Sequence, residues 1–112
     1  MMQKILVPLD GNDFAESVLG DVEDLAAGGR AEVVLLRIGD LPREVVIENG
    51  RVFYLDEQTS WAESEMTEYL NAMERRLRAR GLQVRSATSF GDPVSEVLRY
   101  AEENGITLIA MA

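Results

Sequence analysis

Apolar residues open the chain in an unbroken block, Ile5-Leu6-Val7 with Leu9, and recur as Val33-Val34-Leu35-Leu36. Short runs without polar alternation predict strands covered on both faces, as in a parallel sheet flanked by helices. Strands are therefore expected over 4–9 and 31–38. Between them Ala15, Val18, Leu19, Val22, Leu25 and Ala26 follow helical spacing, with Asn12 placed to cap that helix and Gly28-Gly29 to stop it. Further on, Glu44 to Glu48 and Arg51 to Leu55 flank Asn49-Gly50, a strong hairpin signal. They predict a small β-ribbon over 43–56, inserted after the second strand.

Ser60-Trp61-Ala62-Glu63 has the form of a capping box, predicting a long helix that starts there with the apolar stripe Met66, Tyr69, Leu70, Met73 and Leu77. Arg75, Arg76, Arg78 and Arg80 near its end suit the helix dipole, and Gly81 terminates it. The segment 82–90 predicts a third strand, more polar and so nearer an edge. Asp92 caps the next helix, Pro93 takes its first position, and Val94, Val97, Leu98 and Ala101 are expected to face inward. Asn104-Gly105 then turns into Ile106 to Ala112, expected to be a buried closing strand.

This alternation predicts an α/β fold: an open, mostly parallel twisted sheet with helices on both faces. A length of 112 residues implies one domain, 1–112. The net charge of -9 argues against nucleic acid or an anionic membrane as partner. With neither Cys nor His, thiolate and Ser-His chemistry and the usual zinc sites are excluded, so no metal site is expected. Zero cysteine and no long apolar run point to a cytoplasmic protein.

In such a sheet ligands bind outside the carboxyl ends of the strands, where strand order reverses. Pro8, a poor residue for a central strand, stands there beside Leu9 and Asp10. Two readings of Asp10 stay open: an acceptor for a ribose hydroxyl or ligand amine, or a cap on its own turn. A calcium loop fails because Ala15 stands where glycine is required. An aspartyl phosphatase lacks its second aspartate and a later lysine, and pairing Asp10 with Asp13 as acid and base makes a weak enzyme case.

Lys4 to Asp13 with Ala15-Glu16-Ser17, then Ala31 to Ile38, then Phe90-Gly91-Asp92-Pro93 and Leu108 to Ala112 resemble, in order and spacing, a universal stress protein domain. Arg37 stands where many members carry histidine. The resemblance implies a stress-response or signalling domain that binds ATP or another adenine nucleotide at the strand ends. Carried over by position, Pro8, Leu9 and Asp10 meet adenine and ribose, Ile38 meets adenine through its backbone, and Met111 and Ala112 begin the phosphate loop. No catalytic residue is implied, at most a weak ATPase. The sequence ends before the glycines of that loop, so the expectation is a domain cut short of its last helix and strand. The alternative is a non-nucleotide-binding interaction or dimerisation module of the same fold, forming a homodimer or holding a partner protein through the sheet edge or the ribbon.

Overall fold

A computed structural model describes residues 3–9, 17–27, 30–39, 45–48, 51–54 and 56–111, with backbone alone for 45–48, 51–54 and 56–63. The elements run β1 (Gln3–Leu9), α1 (Leu19–Ala26), β2 (Ala31–Gly39), β3 (Val45–Glu48), β4 (Arg51–Tyr54), α2 (Asp56–Arg78), β5 (Gln83–Phe90), α3 (Pro93–Glu103) and β6 (Leu108–Ile109). Four strands form one parallel sheet in the order β5-β2-β1-β6. The apolar blocks of β1 and β2 occupy its centre, and the more polar β5 lies at one edge as expected. β3 and β4 pair antiparallel, Val45 opposite Tyr54 and Glu48 opposite Arg51. Asn12, the Gly28-Gly29 pair and the Asn49-Gly50 turn lie outside the described residues.

Alternate residues of β1 and β2 point to opposite faces. Ile5, Val7, Val33 and Leu35 face Leu19, Val22 and Ala26 of α1 and Leu70 and Leu77 of α2, all buried. Leu6, Val34 and Leu36 face the other way, toward Val97 of α3. Topology explains this division. The first two crossovers step from β1 to β2 to β5 in one direction, whereas the third returns across the sheet to β6, and a right-handed crossover in the reverse direction lays its helix on the opposite face.

Three expectations need correction. The helix α2 begins at Asp56, so Ser60 lies in its second turn rather than capping it. Asp56 and Glu57 supply the negative charge that suits a helix start. Next, Val94 is 67% and Leu98 59% exposed, so of the four expected inward residues Val97 is buried and Ala101 half-buried. Leu25 is likewise exposed, on the outer side of α1.

The last correction concerns the closing strand, which is two residues long, with Leu108 38% exposed. Pro8 accounts for its length. The β1–β6 ladder runs as far as the bond from the Ala110 N–H to the Leu6 carbonyl, at 2.9 Å. The next bond of a parallel ladder would need the N–H of residue 8, which proline does not have. Below this, Thr107 ties the two strands. Its hydroxyl accepts from the Lys4 N–H at 3.0 Å and its own N–H donates to the Lys4 carbonyl at 2.9 Å. The Lys4 ammonium donates to the Asn104 carbonyl at 3.4 Å, at the amino end of the sheet.

Candidate functional site

Where the β1–β6 ladder stops, the two strands part and leave a cleft of about 320 Å³ at the carboxyl end of the sheet. Its floor is Pro8 and Leu9 from β1, Leu36 and Ile38 from β2, and Ile109 from β6. One wall is the first two turns of α3, through Pro93, Val94, Val97 and Leu98, and Met111 stands at the rim, 61% exposed. The order β5-β2-β1-β6 reverses direction between β1 and β6, so this is the crevice where an open parallel sheet takes its ligands.

Among the described residues, the lining carries no charged side chain. Such a surface matches the flat face of a heteroaromatic ring better than a polyanion, and ligand pockets are commonly apolar with few polar groups. Of the positions singled out from the sequence, Pro8, Leu9, Ile38 and Met111 line this one cleft; Asp10 and Ala112 lie outside the described residues. The contribution of α3 went unanticipated. Its signal was present, since Val94 and Leu98 form an i,i+4 apolar pair offset from the inward pair Val97 and Ala101.

The first turns of α3 also carry charged groups outside the cleft lining. Asp92 caps α3, accepting from the Ser95 N–H at 3.0 Å, and that bond holds its carboxyl below the usual range. Behind it Glu96 accepts from Arg99 and from the Ser89 hydroxyl, the latter at 2.5 Å, and both bonds hold its pKa down, Arg99 more strongly. Arg99 also reaches Glu103 at 3.3 Å, and its pKa is raised chiefly by Glu96.

On the other face of β2, Arg37 donates to the Leu9 carbonyl at 3.5 Å and lies over the Tyr69 ring, 5.7 Å from its centroid. It braces the carboxyl ends of β1 and β2 from the side away from the cleft. Gly39 ends β2 in a tight place, because a Cβ there would sit 2.9 Å from Met66 Sδ and 3.0 Å from the Phe90 ring. The carbonyl of Gly39 also accepts from the Gly91 N–H at 3.1 Å, joining β2 to the turn that leads into α3.

The model of the universal stress protein family matches residues 1–112. The chain belongs to the universal stress protein family. Universal stress protein YxiE of Bacillus subtilis strain 168 is 29% identical over 119 residues, spanning 99% of this chain and 78% of its own. Among solved structures, a universal stress protein family member from Burkholderia pseudomallei superposes with TM-score 0.75 at 25% identity, over 96% of this chain and 78% of that one. Hypothetical protein MJ0577 is 30% identical with TM-score 0.71, over 99% of this chain and 74% of that one. A universal stress protein solved in complex with cAMP superposes with TM-score 0.69, over 96% of this chain and 70% of that one; at 16% identity it shows the shared fold alone. This universal stress protein domain is thus an open parallel α/β sheet of the family's kind, with an apolar cleft at its strand reversal. Among its described residues, no helix is long and apolar enough to cross a membrane, and no group of carboxylates gathers to hold a metal ion.

Proposed function

We propose that this domain binds an adenine nucleotide at the carboxyl ends of its parallel strands, in a stress-response or signalling role. The carrying observation is the convergence of Pro8, Leu9, Ile38 and Met111 on one cleft, apolar among the described residues, at the strand reversal. A cleft of about 320 Å³ at the lower end of ligand-pocket volumes suits a purine ring. In this reading Ile38, near the end of β2, offers its backbone to the base, and Asp10, which follows Leu9 in the sequence, receives a ribose hydroxyl. That a member of the same fold was solved with cAMP supports the ligand class. ATP is the family's implied ligand, with Met111 and Ala112 leading toward its phosphates.

Calorimetric titration with ATP and cAMP tests this reading. Binding is expected for at least one of them, with a rise in melting temperature, and is expected to fall at least about tenfold in Leu98→Glu. Leu98 is exposed, so this variant should keep its fold and melting temperature. No heat and no thermal shift with either nucleotide would overturn the reading.

The second reading is a protein-interaction or dimerisation module without nucleotide. The exposure of Val94, Leu98 and Met111 favours it, because the three lie together around the cleft. It expects light scattering to show self-association weakened by Leu98→Glu.

A further inference from the structure

The outer face of α2 is charged in blocks. Met66, Leu70 and Leu77 are buried in the core, while Glu65, Glu68, Asn71, Arg75 and Arg76 are exposed. Acids come first and bases last, with neutral Asn71 and Ala72 between them. The helix dipole accounts for the bases, which lie in the last turn. It does not account for the acids. Glu65 and Glu68 stand more than two turns into a helix that begins at Asp56, whereas the dipole acts within the first turn.

Pairing along the helix does not account for the order either. Side chains three or four places apart are neighbours on a helix. Glu65 and Glu68 are three apart and Arg76 and Arg80 four apart, so close neighbours here share a sign. Glu68 and Arg75 lie two turns apart, about 10 Å along the axis, and are not neighbours. Other arginines nearby are each held by a carboxylate: Arg78 by Glu74, Arg80 by Glu23 and Arg85 by Glu32. Among the described residues, Glu65, Glu68, Arg75 and Arg76 make no hydrogen bond or ion pair.

An antiparallel copy of the same helix supplies the missing neighbours. A two-fold axis crossing α2 between Asn71 and Ala72 brings position 68 level with position 75 of the other copy. Position 65 then comes within about 3 Å, along the axis, of position 76. Around the helix, Glu68 and Arg75 differ by about 20°, as do Glu65 and Arg76, so each acid meets its base on the same flank. Asn71 and Ala72 at the crossing are uncharged, and the two-fold makes every contact twice.

We propose that α2 is a self-association surface. A second copy of this chain docks antiparallel on its outer face, Glu68 against the partner's Arg75 and Glu65 against the partner's Arg76. The contact is small and polar, so the dimer belongs to the weak, transient class. Neither the cleft nor its ligand takes part.

Light scattering on the full chain tests this. Each copy carries -9, so the bodies repel at long range. At about 0.15 M salt the Debye length is about 8 Å, which screens that repulsion and spares touching pairs. Between about 10 μM and 1 mM protein, the mass should climb toward that of a dimer. Glu65→Arg with Glu68→Arg, or Arg75→Glu with Arg76→Glu, should each raise Kd at least about tenfold. The two double variants mixed together should associate at least as tightly as the wild type, because an all-basic face then meets an all-acidic one. All four substitutions in one chain should restore Kd to within about threefold. The sites are exposed, so melting temperatures should hold. A monomer throughout that range overturns the proposal. So does association indifferent to both double variants; if it falls instead in Leu98→Glu, the contact is at the cleft.

Discussion

The two faces of the sheet are built to different standards. On one, α1 and α2 lie side by side over β1 and β2, and the buried set runs from Ile5 and Leu35 through Leu19 and Leu77 without a break. On the other, α3 is the covering helix among the described residues, over Leu6, Val34 and Leu36, and its own apolar residues Val94 and Leu98 are exposed. Both faces carry the same kinds of residue, so composition does not separate them. What separates them is topology. Two crossovers deliver their helices to one side and one crossover to the other, and the cleft lies on the side that received fewer. Among the described residues, the deeper burial lies under α1 and α2, and the cleft lies beside α3.

Substitutions can break that comparison or sharpen it. The largest effect is expected from Leu35→Ala on the doubly covered face, where full burial predicts a loss of about 3 kcal/mol in urea unfolding. That is a large part of the stability of a domain this size. Val97→Ala, buried under α3, should cost about 1.5 kcal/mol by the same measurement, since two carbons are lost from a thinner layer. Arg37→Met removes the ring contact with Tyr69 and the bond to the Leu9 carbonyl, and should cost about 0.5–1 kcal/mol. Leu98→Ala should change stability by less than about 0.5 kcal/mol while weakening any cleft ligand. If Leu98→Ala proved as costly as Leu35→Ala, the two faces would not differ in the way described.

The smallest effect concerns pH. The carboxyls of Asp92 and Glu96 are both held below their usual range in the folded protein, Asp92 by the Ser95 N–H and Glu96 by Arg99. A depressed folded pKa contributes stability that is present above the unfolded value and is lost as pH falls through the folded one. A melting-temperature gap between the wild type and the double variant Asp92→Asn, Glu96→Gln should therefore be fullest near neutrality. It should shrink below about pH 4 and close at the acid end, as both carboxyls become neutral. Because the groups are exposed, the gap should be small, and salt should narrow it further.

Most of the architecture was legible in the chain because strand and helix periodicities differ and few elements mix them. The apolar blocks at Ile5 and Val33 and the polar strand ending in Phe90 fall at the centre and edge that their composition suggests. The Asp92-Pro93 start of α3 stands as read. Ser60 misled because a serine followed three places on by glutamate also occurs on the surface of a helix already under way. Val94 and Leu98 misled for a deeper reason. Periodicity tells which residues share a helix face, but not whether a neighbour exists for that face to meet. The same gap hid half of the cleft, since the α3 wall is a property of packing. Pro8 was visible from the start as a local inconsistency, and its consequence, a ladder stopped after Ala110, is what opens the strands at the cleft.

Lys4 is the sole lysine, anchored to Asn104 at the amino end of β1, and Pro8 lies four residues further along that strand. At about 3.3 Å per residue that is roughly 13 Å toward the opposite end. Within residues 1–112 amine-coupling reagents thus find one side-chain attachment point, remote from the cleft. A bead or sensor chip joined through that ammonium would display the carboxyl end of the sheet outward, free to meet whatever is flowed across it.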